Sequence, residues 1–246
     1  MNLQDFVNSL TQESLDEINA AFAKKNKKIP AYTFSKIKDK DIKKLFDIEK
    51  IFSQDMFDTW FNSDIVLTDE EISFLKELLD REIDLISIYK EEDLKFFFIS
   101  PILNKVDFKS VENKIRGFYE ESIVYKTNRF VLYGITDFVV AKGLEYPEEA
   151  YFFIQEFKKE VDYSDPRPQL LSELIAAVEL NNSTTIKGAY IIGGNWKFVI
   201  LNKLDIDKYN YAISRNFDST KIEDLKGIYK NLMFVKNEIL RFISHT

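Results

Sequence analysis

Apolar residues recur at helical spacing through the first ninety positions. Leu3, Phe6, Val7 and Leu10 begin one stripe, and Leu15, Ile18, Ala21 and Phe22 continue it. Ile72, Leu75, Leu78, Leu79 and Ile86 form a second, with Glu82 as a polar intruder and a Thr68–Glu71 capping box ahead of it. Residues 91–106 fit helix or strand, with Pro101 near a bend, and Phe108, Val111, Ile115 and Phe118 predict a helix over 108–119. From about residue 121 the period shortens. Residues 122–126, 129–141 and 151–158 predict three strands, with Gly134 inside the second as a turn-permissive position. Leu170, Leu171, Leu174, Ile175 and Val178 mark a helix ending at Asn181-Asn182. Two further strands, 186–192 and 196–201, flank Gly193-Gly194-Asn195, a hairpin signal. The last helix carries Ile222, Leu225, Ile228, Leu232, Val235, Ile239 and Phe242, with Thr220 and Glu223 as its capping box.

The resulting order is α/β, with a mixed central sheet flanked by helices. It divides into a helical N-terminal region, 1–90, and a domain over 91–246. At 45% hydrophobic and 30% charged, the chain can bury a core, which excludes a disordered one. The N-terminus, MNLQDFVNSLTQ, carries no signal-like pattern, and no stretch approaches the ~20 apolar residues of a membrane span, so a cytoplasmic protein without membrane contact is expected.

Composition also limits the chemistry. There is no cysteine, and the one histidine, His245, lies next to the last residue. Thiolate chemistry and His-based triads or metal sites within a folded core are excluded, leaving carboxylates, lysines, hydroxyls and hard metals. The third strand ends in Glu156-Phe157-Lys158 after an apolar run, and Asp137 lies near the end of the strand before it. If those strands pair, Asp137 comes beside Glu156. Side chains alternate faces, so Glu156 and Lys158 share one. Two adjacent carboxylates favour a divalent cation that relieves their repulsion. With the Phe157 carbonyl they form a hard oxygen set suited to Mg²⁺, with Mn²⁺ able to substitute. Lys158 beside them can orient a water and stabilise an anion. The competing readings are an Asp137–arginine pair at a strand end and a surface cross-strand Glu156/Lys158 pair.

Gly134-x-x-Asp137, eighteen intervening residues, and Glu156-Phe157-Lys158 together resemble the PD-(D/E)XK nuclease superfamily, the restriction-endonuclease-like fold. The likeness covers residues 91–240. Gln169, opening the following helix, is placed like the glutamine of the RecB-like and Holliday-resolvase-like branches. The segment 155–202 is similar to uncharacterised bacterial members. The resemblance implies a Mg²⁺-dependent DNA endonuclease in which Asp137, Glu156 and the Phe157 carbonyl hold metal, Lys158 positions water and Gln169 supports it. It allows a further acid from the helix before the strands, with Glu112, Glu120 and Glu121 as candidates, and a homodimer. RNA in place of DNA, or a non-catalytic accessory protein on the same scaffold, are the alternatives. The net charge of −7, from 34 basic and 41 acidic residues, opposes nucleic acid as a whole. Residues 24–44 nevertheless hold nine lysines against two aspartates, so Lys24–Lys28 and Lys36–Lys44 are the expected source of salt-sensitive binding.

Overall fold

The computed structural model describes residues 10–25, 29–158 and 165–244, with the side chains of 20–25, 153–158 and 244 left aside. The chain is α/β, built on one mixed sheet with helices on both faces. In chain order the helices are α1 (Gln12–Lys25), α2 (Asp39–Leu45), α3 (Asp58–Phe61), α4 (Asp69–Glu82), α5 (Glu91–Leu94), α6 (Ser100–Val106), α7 (Arg167–Leu180) and α8 (Ile222–Ser244). The strands are β1 (Ala31–Thr33), β2 (Asp47–Ile51), β3 (Ile115–Lys126), β4 (Val131–Lys142), β5 (Glu149–Lys158), β6 (Thr185–Ile192), β7 (Asn195–Asp205), β8 (Lys208–Ile213) and β9 (Phe217–Asp218). The sheet runs β1-β4-β5-β6-β7-β8-β2, with β3 added to β4 and β9 to β7.

Alternation along the strands sends side chains into two cores. Phe138, Val140, Ala189, Ile191, Phe198 and Ile200 meet α3, α4, α6 and α8. Val139, Ala141, Tyr190, Val199 and Leu201 meet α7 and the segment around Phe34 and Ile42. Positions 170–178 of α7 are all buried, so the helix is apolar on every side rather than amphipathic. At α4 the predicted capping box forms: Glu71 N donates to Thr68 Oγ1 at 3.2 Å, and Thr68 N donates to Glu71 Oε2 at 2.8 Å. The Gly193-Gly194 turn joins β6 to β7, with Gly193 at φ 56°, a left-handed angle that glycine adopts without strain.

Two local expectations are revised, and the open segment 91–106 resolves as helix. Residues 108–119 are not a helix: a turn leads into β3 at Ile115. Ile115 and Phe118 are both buried, but in different cores on opposite sheet faces. Their three-residue spacing mimics a helix because this end of the strand sends one side chain into each core. The helix before the strands is instead 91–106, the ambiguous segment, and it contains a π-helical turn at Lys95–Ile99. The Thr220–Glu223 box does not form. Thr220 turns back, its backbone N and Oγ1 donating to Asp218 Oδ1 at 3.1 and 2.6 Å, and Glu223 pairs with Lys226. Strand β8 goes unpredicted, because its alternating tyrosines and asparagine follow closely on a polar turn.

The N-terminal region is helical as expected, and it also supplies strands β1 and β2. They pair in parallel with β4 and β8. Trp60 Nε1 donates to the Asn231 carbonyl at 2.9 Å, and the Tyr229 hydroxyl donates to Glu71 at 3.1 Å, so α3 and α4 are tied to α8. The apolar stripe at 1–9, Lys27 and Lys28, and His245 lie outside the described residues. Among the described residues no helix is long and apolar enough to cross a membrane.

Glu82, the polar intruder, is buried and accepts hydrogen bonds from Arg81 Nε at 2.5 Å and from the Tyr89 hydroxyl. Burial alone raises its carboxyl, and the bonds from Arg81 and Tyr89 outweigh burial, leaving it below the usual range. A lowered value in the fold gives stability that is present above the unfolded value and lost as pH falls through the folded one. Glu82→Gln is therefore expected to cost about 1–2 kcal/mol near neutrality. In thermal melts the gap between wild type and variant should close as pH drops below the ordinary carboxylate range. A gap that is constant with pH would show that charge plays no part.

Candidate active site

Strand β4 is shared by three others. Along one edge it pairs with β3 over its whole length. On the other edge β1 takes Val131–Tyr133, and β5 takes Phe138–Lys142. Asp137 sits where the first of these ends and the second begins. Gly134 just before it leaves room for the aromatic ring that follows β1: a Cβ there would lie 2.8 Å from Phe34 Cδ2. Asp137 is half-buried, and its neighbours Thr136 and Phe138 are fully enclosed.

The strand carrying Glu156-Phe157-Lys158 is the direct antiparallel neighbour of the aspartate strand, with Phe138 opposite Ile154. On its far side β5 runs parallel to β6, where Gln155 pairs with Tyr190 and Lys158 with Ile192. The ladder is irregular between Gln155 and Phe157. Strict alternation, the basis for placing Glu156 and Lys158 on one face, is interrupted there. The side chains of Glu156, Phe157 and Lys158 lie outside the described residues.

Gln169 lies in the first turn of α7, which packs on this part of the sheet. Its Nε2 donates to Glu173 Oε1 at 3.4 Å. Glu173 is fully buried, a residue the sequence reading passed over. The available signal was one acid inside the otherwise apolar run 170–178. Among the three further acids, Glu112 lies in the turn before β3, and Glu120 and Glu121 lie on β3 itself rather than on a helix. Tyr119 pairs with Phe138 and Glu121 with Thr136, which leaves Glu120 opposite Asp137. Glu120 has a left-handed φ of 57° and pairs with Lys95 Nζ at 3.5 Å.

Beside α7 a second polar group gathers. Arg167 pairs with Asp39 of α2, and with Asp165 at 3.0 Å. Tyr190 and Tyr211 are buried nearby. Burial, with Asp165 adding to it, pushes the Tyr190 hydroxyl up to about 12, so it stays protonated. Among the described residues no group of three or more acidic or histidine side chains forms a metal-binding cluster. A cavity of about 450 Å³ lies at the opposite end of β5, between Glu149, Tyr151, Asn182, Lys187 and Phe242, away from Asp137.

No family model and no curated protein matches the chain. Among solved structures, one similar chain is from a cryo-electron-microscopy structure of a DrdV–DNA complex, at 11% identity and a TM-score of 0.36. The match covers 66% of this chain and 14% of that one, so the present chain spans a small part of its length.

The contrast between Gln169 and Glu173 is testable without any activity. Glu173→Ala empties a fully buried site and is expected to cost roughly 1–3 kcal/mol in urea unfolding. Gln169→Ala, at a half-buried helix start, should stay within about 1 kcal/mol of wild type. Equal costs would mean that Glu173 is not held in the enclosed position described.

Proposed function

We propose that the chain is a Mg²⁺-dependent endonuclease that hydrolyses phosphodiester bonds in DNA. The observation that carries this reading is the β4–β5 ladder, which makes the aspartate strand and the E-x-K strand immediate neighbours. The helix bearing Gln169 packs on the same strands, in the order that the family resemblance requires.

The donor set fits the ion. Asp137, Glu156 and the Phe157 carbonyl would hold Mg²⁺, with Mn²⁺ as a substitute, through oxygen atoms alone. When bound, such an ion supplies positive charge for phosphoryl oxygens and makes a bound water more acidic. Lys158 holds the attacking water and offsets negative charge developing on the phosphate. Gln169, braced by Glu173, supports the lysine or the water. Cutting both strands of a duplex calls for two such sites, which a homodimer provides. RNA carries the same phosphodiester and is the alternative substrate.

A second reading is a non-catalytic interaction protein built on the same scaffold. It is favoured by the net charge of −7, which opposes a polyanionic partner for the chain as a whole.

A plasmid-nicking assay with Mg²⁺ or Mn²⁺ separates the two. The nuclease reading expects nicking that EDTA abolishes and that Asp137→Ala and Lys158→Ala each reduce by about 100-fold or more. Equal rates in wild type and both variants would trace the activity to another site or a contaminant. No nicking of DNA or RNA by metal-loaded wild type would favour the interaction protein.

A further inference from the structure

The lysine-rich segment and the candidate site meet at Arg167. This residue opens α7, two positions before Gln169. Its guanidinium, 22% exposed, reaches Asp39 of α2 and Asp165. The Nε of Arg167 is buried and has no acceptor among the described residues. Tyr190, beside this group, is the ladder partner of Gln155, next to Glu156. The Arg167 cluster therefore borders the E-x-K strand.

The same ion pair changes the charge of α2. The lysine-rich stretch 36–44 has two acids. Asp39 is taken by Arg167, and Asp41 accepts the Lys38 backbone N–H at 3.1 Å. Lys36, Lys38, Lys40, Lys43 and Lys44 are all exposed, and none has an ion pair among the described residues. Ile37, Ile42 and Phe46 anchor the segment in the core that also contains α7. A polyanion repelled by the chain as a whole finds here an edge where five exposed lysines outnumber the acids.

We propose that Arg167 is a positioning residue: by gripping Asp39 it fixes the lysine edge of α2 against the start of α7, so that one nucleic-acid backbone spans the edge and the candidate site. The alignment rests on the nuclease reading of that site, whereas binding by the lysine edge does not. Nucleic acid is favoured over an anionic membrane because Arg167, which holds the edge, lies two positions from Gln169 of the candidate site.

The test measures binding and turnover separately. Binding of a labelled DNA duplex is followed in EDTA across a salt series, with anionic phospholipid vesicles as a second ligand, and cleavage is followed with Mg²⁺. Glutamine at all five lysines should reduce the slope of log affinity against log salt by about 2 or more, given roughly 0.9 per phosphate contact. Arg167→Gln and Asp39→Asn break the same pair from opposite sides, so a folding defect in one does not decide the matter. Each should leave the slope near wild type, speed amide exchange in α2 and weaken duplex binding about fivefold, a loss that appears in KM rather than kcat. Arg167→Lys should recover part of it.

An unchanged slope in the five-lysine variant, or tighter lysine-dependent binding to vesicles than to duplex, would overturn the docking edge. Unchanged affinity and α2 exchange in both pair-breaking variants, or a fall in kcat alone, would overturn the positioning role. Lysine-dependent binding with the expected Arg167 effect, but no cleavage by wild type, would leave this inference standing and remove the nuclease reading.

Discussion

The register of β4 on its neighbours is the constraint on which the rest of the molecule depends. Because both faces of the sheet are covered, a one-residue slip would send Val139 and Ala141 into the core that holds Phe138 and Val140, and the reverse. Volume opposes that exchange at Phe138, whose ring would have to fit where Val139 or Ala141 now packs under α7. The chain reinforces the register at the N-terminal end of β4. Phe34 closes over Gly134, and β1 adds a short parallel ladder on the edge that β5 leaves open. Asp137 falls in the interval between the two partners, a place fixed by packing it does not itself provide.

The sequence made much of this legible where one signal was enough. Strands β4 to β7 and helices α4, α7 and α8 follow from apolar runs, the Gly-Gly hairpin and Asn181-Asn182. The same logic failed where burial on two faces erased the period. Ile115 and Phe118 point into different cores, so their spacing reads as helix although the backbone is extended. β1 and β2 are three and five residues long and gain their partners from distant strands, a tertiary effect that local pattern does not carry. Thr220 illustrates a competition between two polar partners: Asp218, two residues back and held in a turn, takes the hydroxyl that a capping box would have used.

The candidate site was legible in its residue types and strand adjacency rather than in detail. Asp137 and the E-x-K segment lie on neighbouring strands, as their spacing and the predicted meander require. The ladder irregularity between Gln155 and Phe157 is not visible in the pattern, and it breaks the simple alternation that the sequence suggests. Glu173 and Arg167 were overlooked for different reasons. Glu173 is an isolated acid in an apolar helix, detectable as an anomaly. Arg167 gains its meaning only from Asp39, 128 positions away. Net charge was the least informative quantity of all, because the acids within the lysine stretch are engaged and the lysines are not.

The central claim is that Asp137 and Glu156 form one metal site. Soaking crystals with Mn²⁺ and recording anomalous diffraction tests it most directly. The account predicts an Mn²⁺ peak between the two carboxylates, within coordination distance of the Phe157 carbonyl oxygen. The absence of a peak there, with the two carboxylates turned apart, would contradict it.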